Sequence, residues 1–193
     1  MKLYYAPGAC SLAAHIALVE SGQDYEKTKV DLSKHQTEDG EDFYKISPRG
    51  YVPAVESDDF DLLTENPAVL AYVADRTGTL PAGSDLYRLL EWIGFIGTEL
   101  HGGYHPLFGN DTDERQAKAK VALAKKYRLT AELMKGEDWL VGDRPTVADN
   151  YLFVTLLWAK KFGVELPEEI KDYRRQNLER DSVKKAMAEE GLG

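Results

Sequence analysis

The sequence predicts a chain in two parts, an α/β domain with a mixed sheet and flanking helices, then an all-α domain. Three observations carry this. Residues 1–22 switch from a strand-like run to a helical stripe across a Pro-Gly break. Residues 25–64 hold further short strand-like runs separated by turn residues. From residue 86 onward the apolar residues recur near the helical period, after the Gly- and Pro-rich stretch Thr77–Ser84, which reads as a linker.

Taken in order, Leu3, Tyr4 and Tyr5 form the first strand and Pro7-Gly8 ends it. Leu12, Ile16 and Val19 then share one helical face, and Gly22 stops the helix. Tyr25–Asp31 alternates as a second strand. Residues 33–42 are polar and aperiodic and are read as loop. Phe43–Ile46 forms one helical turn, closed by Ser47-Pro48-Arg49-Gly50. Tyr51–Glu56 is a strand, Ser57-Asp58-Asp59 a turn, and Phe60–Thr64 the strand that pairs back in a hairpin. Asn66 is the expected N-cap of the next helix, with Pro67 at its first position. The order βαβ, crossover, ββα is a thioredoxin-like layout with a mixed four-stranded sheet.

In the second part, Leu86, Leu89, Leu90, Ile93, Ile96 and Leu100 trace a core stripe. That helix ends near His101-Gly102-Gly103 or runs on irregularly to Pro106. A long helix covers 111–135. Thr146-Val147-Ala148-Asp149 resembles a capping box, with Asp in place of the usual Glu or Gln. The helix it opens is apolar nearly all round through Trp158 and therefore central. Two short helices follow at about 167–176 and 179–189. The expected domains are residues 1–78 and 84–193.

Composition narrows the function. The chain has 193 residues, 43% hydrophobic and 30% charged, and a formal net charge of −9. That balance argues against nucleic acid or an anionic membrane as a partner. One cysteine cannot form an internal disulfide. No signal peptide or membrane span is read, so a cytoplasmic protein is expected. The cysteine, Cys10, stands where strand becomes helix. Unpaired N–H groups and the positive end of the helix dipole there favour a thiolate, its own or that of a docked thiol.

The chain resembles the bacterial beta-class glutathione transferases along essentially its whole length. The resemblance rests on Tyr-Tyr-x-Pro-Gly-x-Cys-Ser-Leu at 4–12, Ser-Pro-Arg-Gly-Tyr-Val-Pro-Ala at 47–54 and Leu-Leu-Thr-Glu at 62–65. It continues through Glu-Trp-Ile at 91–93, Thr-Glu-Leu-His at 98–101, Thr-Val-Ala-Asp-Asn-Tyr-Leu-Phe at 146–153 and Glu-Glu-Gly-Leu near the end. It implies a thioredoxin-like glutathione-binding domain (1–78), a helical domain contributing the hydrophobic substrate site (84–193), and a homodimer. Glutathione is implied as co-substrate, with no other cofactor and no metal.

Glutathione carries an amine, two carboxylates, two amides and a thiol, and each needs a complement. Glu65 suits the ammonium, and Asn66 with the N–H groups of its helix suits the γ-glutamyl carboxylate. Taken alone, this pair also reads as a cap and a favourable helix charge. The resemblance makes Val52-Pro53 a cis-proline turn whose backbone pairs with the cysteinyl amide, where an edge-strand proline is the ordinary alternative. It matches Cys10 to the residue facing the glutathione sulfur, with Ser11 as a neighbouring donor. Position 13 is Ala13, so a Cys-x-x-Cys dithiol is excluded. It matches His101 to the active-site histidine, in preference to His105, and Glu99 to a glutathione contact near the dimer interface. His35 stands where the family often has lysine on the glycyl carboxylate, and Lys34 is beside it. Gly94 stands where the family often has Asn, and Asn66 where it usually has Ser or Gly.

The expected activity is conjugation of the glutathione thiolate to small electrophilic apolar compounds. The enzymatic alternative is a glutathione-dependent thiol–disulfide reductase or peroxidase working through Cys10. The non-enzymatic alternative is a ligand-binding relative.

Overall fold

The computed structural model describes residues 1–109 and 111–192. It divides into two compact units, Met1–Leu80 together with the chain from Asp181, and Pro81–Arg180.

In the first unit a five-stranded sheet has the order β3-β2-β1-β4-β5. Its strands are β1 (Lys2–Tyr5), β2 (Glu26–Asp31), β3 (Gln36–Thr37), β4 (Ala54–Ser57) and β5 (Phe60–Thr64). β1 runs parallel to β2, with Leu3 opposite Lys27, and antiparallel to β4, with Leu3 opposite Val55. The two residues of β3 add a fifth, edge strand to the four expected, pairing Val30 with Thr37 inside the stretch read as loop. A two-residue strand between polar turns has too few residues to show alternation.

Alternation along β1 divides the core between two faces. Tyr4 packs on Phe43 of α2 (Phe43–Ile46), with Ala6, Val30, Val52 and Ala54 around it. Tyr5 faces the other way, onto His15 of α1 (Leu12–Ser21). Gly22 ends α1 in the left-handed region, its N–H on the Val19 carbonyl. The helix α3 (Asn66–Arg76) begins one residue earlier than a capping Asn66 requires. Glu65 occupies the cap position, at φ +70° and ψ 117°, and Asn66 is the first helical residue.

The sequence reading placed residues 84–193 in the helical domain, whose final residue, Gly193, lies outside the described residues. From Asp181 onward, however, the chain belongs to the first compact unit. Here α9 (Asp181–Glu189) buries Val183 and Ala186 and packs on α1. Just beyond it, Glu190 accepts from the Gly8 N–H at 2.9 Å and meets His15 Nδ1 at 2.8 Å. The other ring nitrogen, Nε2, lies 3.1 Å from Glu189, which also pairs with Lys27.

The second unit is helical: α4 (Ser84–Phe95), α5 (His105–Phe108), α6 (Asp113–Met134), α7 (Val147–Phe162) and α8 (Glu168–Glu179). Between α4 and α5 the chain stays helical with a changed pitch, a π-helical stretch over Ile96–His101 and a 3₁₀ turn over Gly102–Tyr104. Leu89, Ile93, Ile96 and Leu100 of the expected stripe are fully buried, whereas Leu90 is 43% exposed. α7 is the central helix, buried along most of its length. Its capping box is present, with Thr146 N–H donating to Asp149 at 2.7 Å. Asp149 also accepts from the Leu140 N–H and the Tyr173 hydroxyl, so its burial is matched by four hydrogen bonds including that of the Thr146 hydroxyl.

Candidate active site

The loop between β1 and α1 presents Cys10. Tight turns bring Ala9 N–H onto Ala6 O and Leu12 N–H onto Ala9 O, both at 3.0 Å. The Cys10 thiol is buried and donates to the carbonyl of Val52 at 3.2 Å. Burial pushes it up to about 12, and the Glu65 charge adds to that, outweighing the pull of the Cys10 and Ser11 N–H groups. The helix start therefore does not make Cys10 a thiolate. Desolvation wins, and at neutral pH the residue is an S–H donor. Ser11 is fully buried, and its hydroxyl is spent on Ala6: it accepts from the N–H at 3.2 Å and donates to the carbonyl at 3.4 Å. It fastens the loop and offers no free donor toward a ligand sulfur.

The peptide bond between Val52 and Pro53 is cis. The Val52 carbonyl accepts from Cys10, and its N–H has no hydrogen-bond partner among the described residues. Nearby in sequence, Arg49 ion-pairs with Glu65, joining the 47–50 turn to the start of α3. Asn66 is buried, and neither its amide oxygen nor its amide nitrogen finds a partner among the described residues. A buried amide with nothing to bond costs about 1–3 kcal/mol.

His35 adopts φ +49° and lies against Tyr44, ring centroids 4.4 Å apart. Its Nδ1 is buried without a partner among the described residues. Gly50 at φ +67° makes this packing possible, since a Cβ there would stand 2.6 Å from the Tyr44 ring. Lys34 is exposed and 3.6 Å from Asp31.

The first unit thus gathers Cys10 with Val52-Pro53, and Glu65 with Asn66 and Arg49. The other two predicted residues lie in the second unit. His101 Nδ1 is 2.7 Å from the Tyr151 hydroxyl. Burial, with repulsion from His105, pushes its pKa down to about 4, so the ring is neutral at pH 7. Its ring centroid is 4.8 Å from that of Trp158, inside an aromatic group with Tyr104, Phe108 and Phe162. Glu99 is half exposed and faces Lys126 at 2.9 Å.

Arg49 and Tyr151 were not predicted. Arg49 sits in the quoted Ser-Pro-Arg-Gly turn, but only the fold shows that its charge reaches Glu65. Tyr151 sits in the quoted α7 motif, where an all-round apolar pattern hid its hydroxyl. Among the described residues no cluster of three or more His, Cys, Asp or Glu side chains is placed to hold a metal ion. Among them, too, no helix is long and apolar enough to cross a membrane.

A thioredoxin-like unit with a buried cysteine at its first helix, a cis-proline turn and a following helical unit defines the glutathione transferase class of fold. Comparison with known proteins agrees. The family "Glutathione S-transferase, N-terminal domain" matches residues 1–75, and "Glutathione S-transferase, C-terminal domain" matches 91–180. The glutathione S-transferase GstA of Escherichia coli O157:H7 is 44% identical over 200 residues, covering all of both chains. A sphingomonad glutathione S-transferase solved in complex with glutathione superposes with a TM-score of 0.94 at 41% identity, and covers the whole of both chains. The beta-class glutathione S-transferase of Sphingomonas chungbukensis gives 0.94 at 37%, again over both whole chains. The chain belongs to the glutathione S-transferase family, is beta-class-like, and is a glutathione S-transferase enzyme.

Proposed function

We propose that this enzyme conjugates the glutathione thiolate to small electrophilic apolar compounds. The observation that carries the reading is Asn66, a buried amide with both polar atoms unpartnered at the start of α3. The γ-glutamyl end of glutathione complements it. The carboxylate takes the Asn66 amide nitrogen and the N–H groups of the first turn of α3. The ammonium takes Glu65, whose negative charge Arg49 partly balances until then. The Val52 N–H and C=O pair with the cysteinyl amide, Pro53 shaping the turn, and His35 with Lys34 meets the glycyl carboxylate.

In this reading the glutathione thiol loses its proton to solvent, and its thiolate attacks the electrophilic carbon, forming the C–S bond while the leaving group, halide for an aryl halide, departs to solvent with the electron pair of the bond it breaks. The loop's part is electrostatic. The Cys10 S–H turns from a neutral carbonyl to an anionic sulfur, a stronger acceptor, and the N–H groups at the start of α1 add to it. Ser11 acts indirectly by fixing the loop. His101, neutral, serves the reaction as a hydrogen-bonding group beside the aromatic residues of the helical unit, and Glu99 is assigned to the glutathione contacts. The working assembly is proposed as a homodimer in the cytoplasm, with the first unit binding glutathione and the helical unit, Pro81–Arg180, supplying the electrophile site. Burial of the Cys10 thiol, with a pKa pushed up to about 12, weighs against a disulfide-exchange role.

Steady-state conjugation of an aryl halide and reduction of a mixed disulfide, measured side by side for wild type and Cys10→Ala, test this. The reading expects conjugation in wild type exceeding disulfide reduction, with conjugation falling about 10- to 100-fold in the variant, the worth of one hydrogen bond to an anion. Conjugation intact in Cys10→Ala with reduction abolished would transfer the function to redox chemistry.

A further inference from the structure

The residues 96–104 that carry His101 are held at several points by α6 and α7. From α7, Tyr151 meets His101, and the Thr155 carbonyl lies 3.0 Å from the hydroxyls of both Tyr104 and Tyr127, whose two protons are shared among the three oxygens. From α6, Tyr127 meets the Tyr104 hydroxyl at 2.8 Å. Leu123 lies so close that a Cβ on Gly103 would stand 2.7 Å from it. The last α6 contact is polar. The Lys126 ammonium donates to the Glu99 carbonyl at 2.8 Å and meets the Glu99 carboxylate at 2.9 Å.

This clasp falls where the backbone pitch changes. Gly102 N–H reaches back five residues to Gly97 O, and the 3₁₀ turn begins at once. Changing from i→i+5 to i→i+3 pairing disturbs the regular α-helical partners of the carbonyls at the junction. A cation placed on one of those carbonyls favours this register over a plain α-helix, in which residue 101 would project about 20° away for each residue of altered winding. The Glu99 carboxylate meets the same ammonium from the side, at 2.9 Å.

We propose that Lys126 is a positioning residue: by clasping Glu99 it fixes the π-helical register that sets the His101 ring against Tyr151. The inference rests on the reading of His101 as a participant in conjugation only for its effect on rate, not for its effect on the ring.

The test is NMR of the full protein with isotope-labelled histidine, the His101 signals assigned by their loss in His101→Asn, together with kcat and KM. Lys126→Met keeps the stem and removes the charge. It is expected to shift the His101 Nδ1 resonance, raise the ring's titration midpoint from about 4 and lower kcat about tenfold, with a smaller change in KM for glutathione. Displacements near 1 Å carry rate effects of that order and above. Lys126→Arg, which keeps a cation on the carbonyl, is expected to restore the resonance. Glu99→Gln, which keeps the backbone clasp, is expected to shift it less than Lys126→Met does. An unchanged His101 resonance in Lys126→Met overturns the proposal whatever the activity. A shifted resonance with Arg rescue and unaltered kcat upholds the positioning role and removes His101 from the chemistry.

Discussion

The side chain of Glu190 reaches across 175 residues of sequence to His15, its carboxylate 2.8 Å from the ring's Nδ1, with both side chains fully buried. The same carboxylate accepts from the Gly8 N–H, two residues before Cys10. The end of the chain is thereby tied to the loop that carries the thiol. Removing the Glu190 carboxylate leaves the Gly8 N–H and His15 Nδ1 buried without that acceptor, at about 1–3 kcal/mol each, while His15 Nε2 keeps Glu189. Glu190→Ala is therefore expected to lower the melting temperature by about 10 °C, at roughly 2–4 °C per kcal/mol for a chain of this size. A calorimetric scan showing a shift under 2 °C would mean the pair is not holding the loop.

A thiol pushed up to about 12 is almost wholly protonated at pH 7.5. Alkylation of Cys10 by iodoacetamide is expected to be about a thousandfold slower than that of a free cysteine, because the thiolate is the reacting species. The pH dependence of stability has the matching sign. An unfolded thiol ionises near pH 9, and the folded one only near 12. Cys10 thus contributes full stability below about pH 9 and loses it as pH rises toward 12. Mass spectrometry of time-quenched samples reads the first effect. Cys10→Ala melting curves, flatter than wild type between pH 9 and 11, read the second.

His101 has the opposite sign. Its folded pKa lies near 4 and the ordinary imidazole value near 6.5, so its contribution is present above about 6.5 and is lost as pH falls through 4. Each unit of that interval weakens the fold by about 1.4 kcal/mol at most. His101→Gln should remove this part of the acid sensitivity. Tyr151→Phe, which strips the ring of its hydroxyl partner, should cost about 1–3 kcal/mol at neutral pH. Urea titrations at pH 7 and pH 5 distinguish these outcomes.

Asn66 supports a prediction in which stability and binding move apart. Replacing an unsatisfied buried amide by an apolar side chain of similar size removes a desolvation cost. Asn66→Leu is expected to be neutral or about 1 kcal/mol more stable without glutathione, and to bind glutathione at least tenfold more weakly. Loss of stability with unchanged binding would show that the amide serves the fold.

Much of this was legible in sequence because local chemistry and tertiary structure agree. The Pro-Gly break, Gly22 and the Thr146–Asp149 box act through neighbouring residues, and their elements lie where the pattern puts them. The two-residue β3 is too short to carry a period. The start of α3 turns on Glu65 at φ +70°, a conformation that no residue-type rule assigns to glutamate. The π-helical stretch departs from the 3.6-residue period on which the stripe through Leu86 and Leu100 was read. Of the candidate site, the cis bond at Pro53 and the strand-to-helix placement of Cys10 agree with the sequence, and the protonation state of Cys10 does not. Whether Cys10 is thiol or thiolate depends on burial beneath Val52, 42 positions away. The membership of α9 in the first unit rests on contacts with α1 that no linker signal announces.

Calorimetric titration of the purified protein with glutathione, in wild type and in Glu65→Gln, asks whether the start of α3 holds the γ-glutamyl end. One glutathione per chain is expected to bind in wild type, with at least tenfold weaker binding in the variant, whose fold is unchanged by circular dichroism. Absence of binding at millimolar glutathione, or equal affinity in the two proteins, would contradict a γ-glutamyl site at the start of α3.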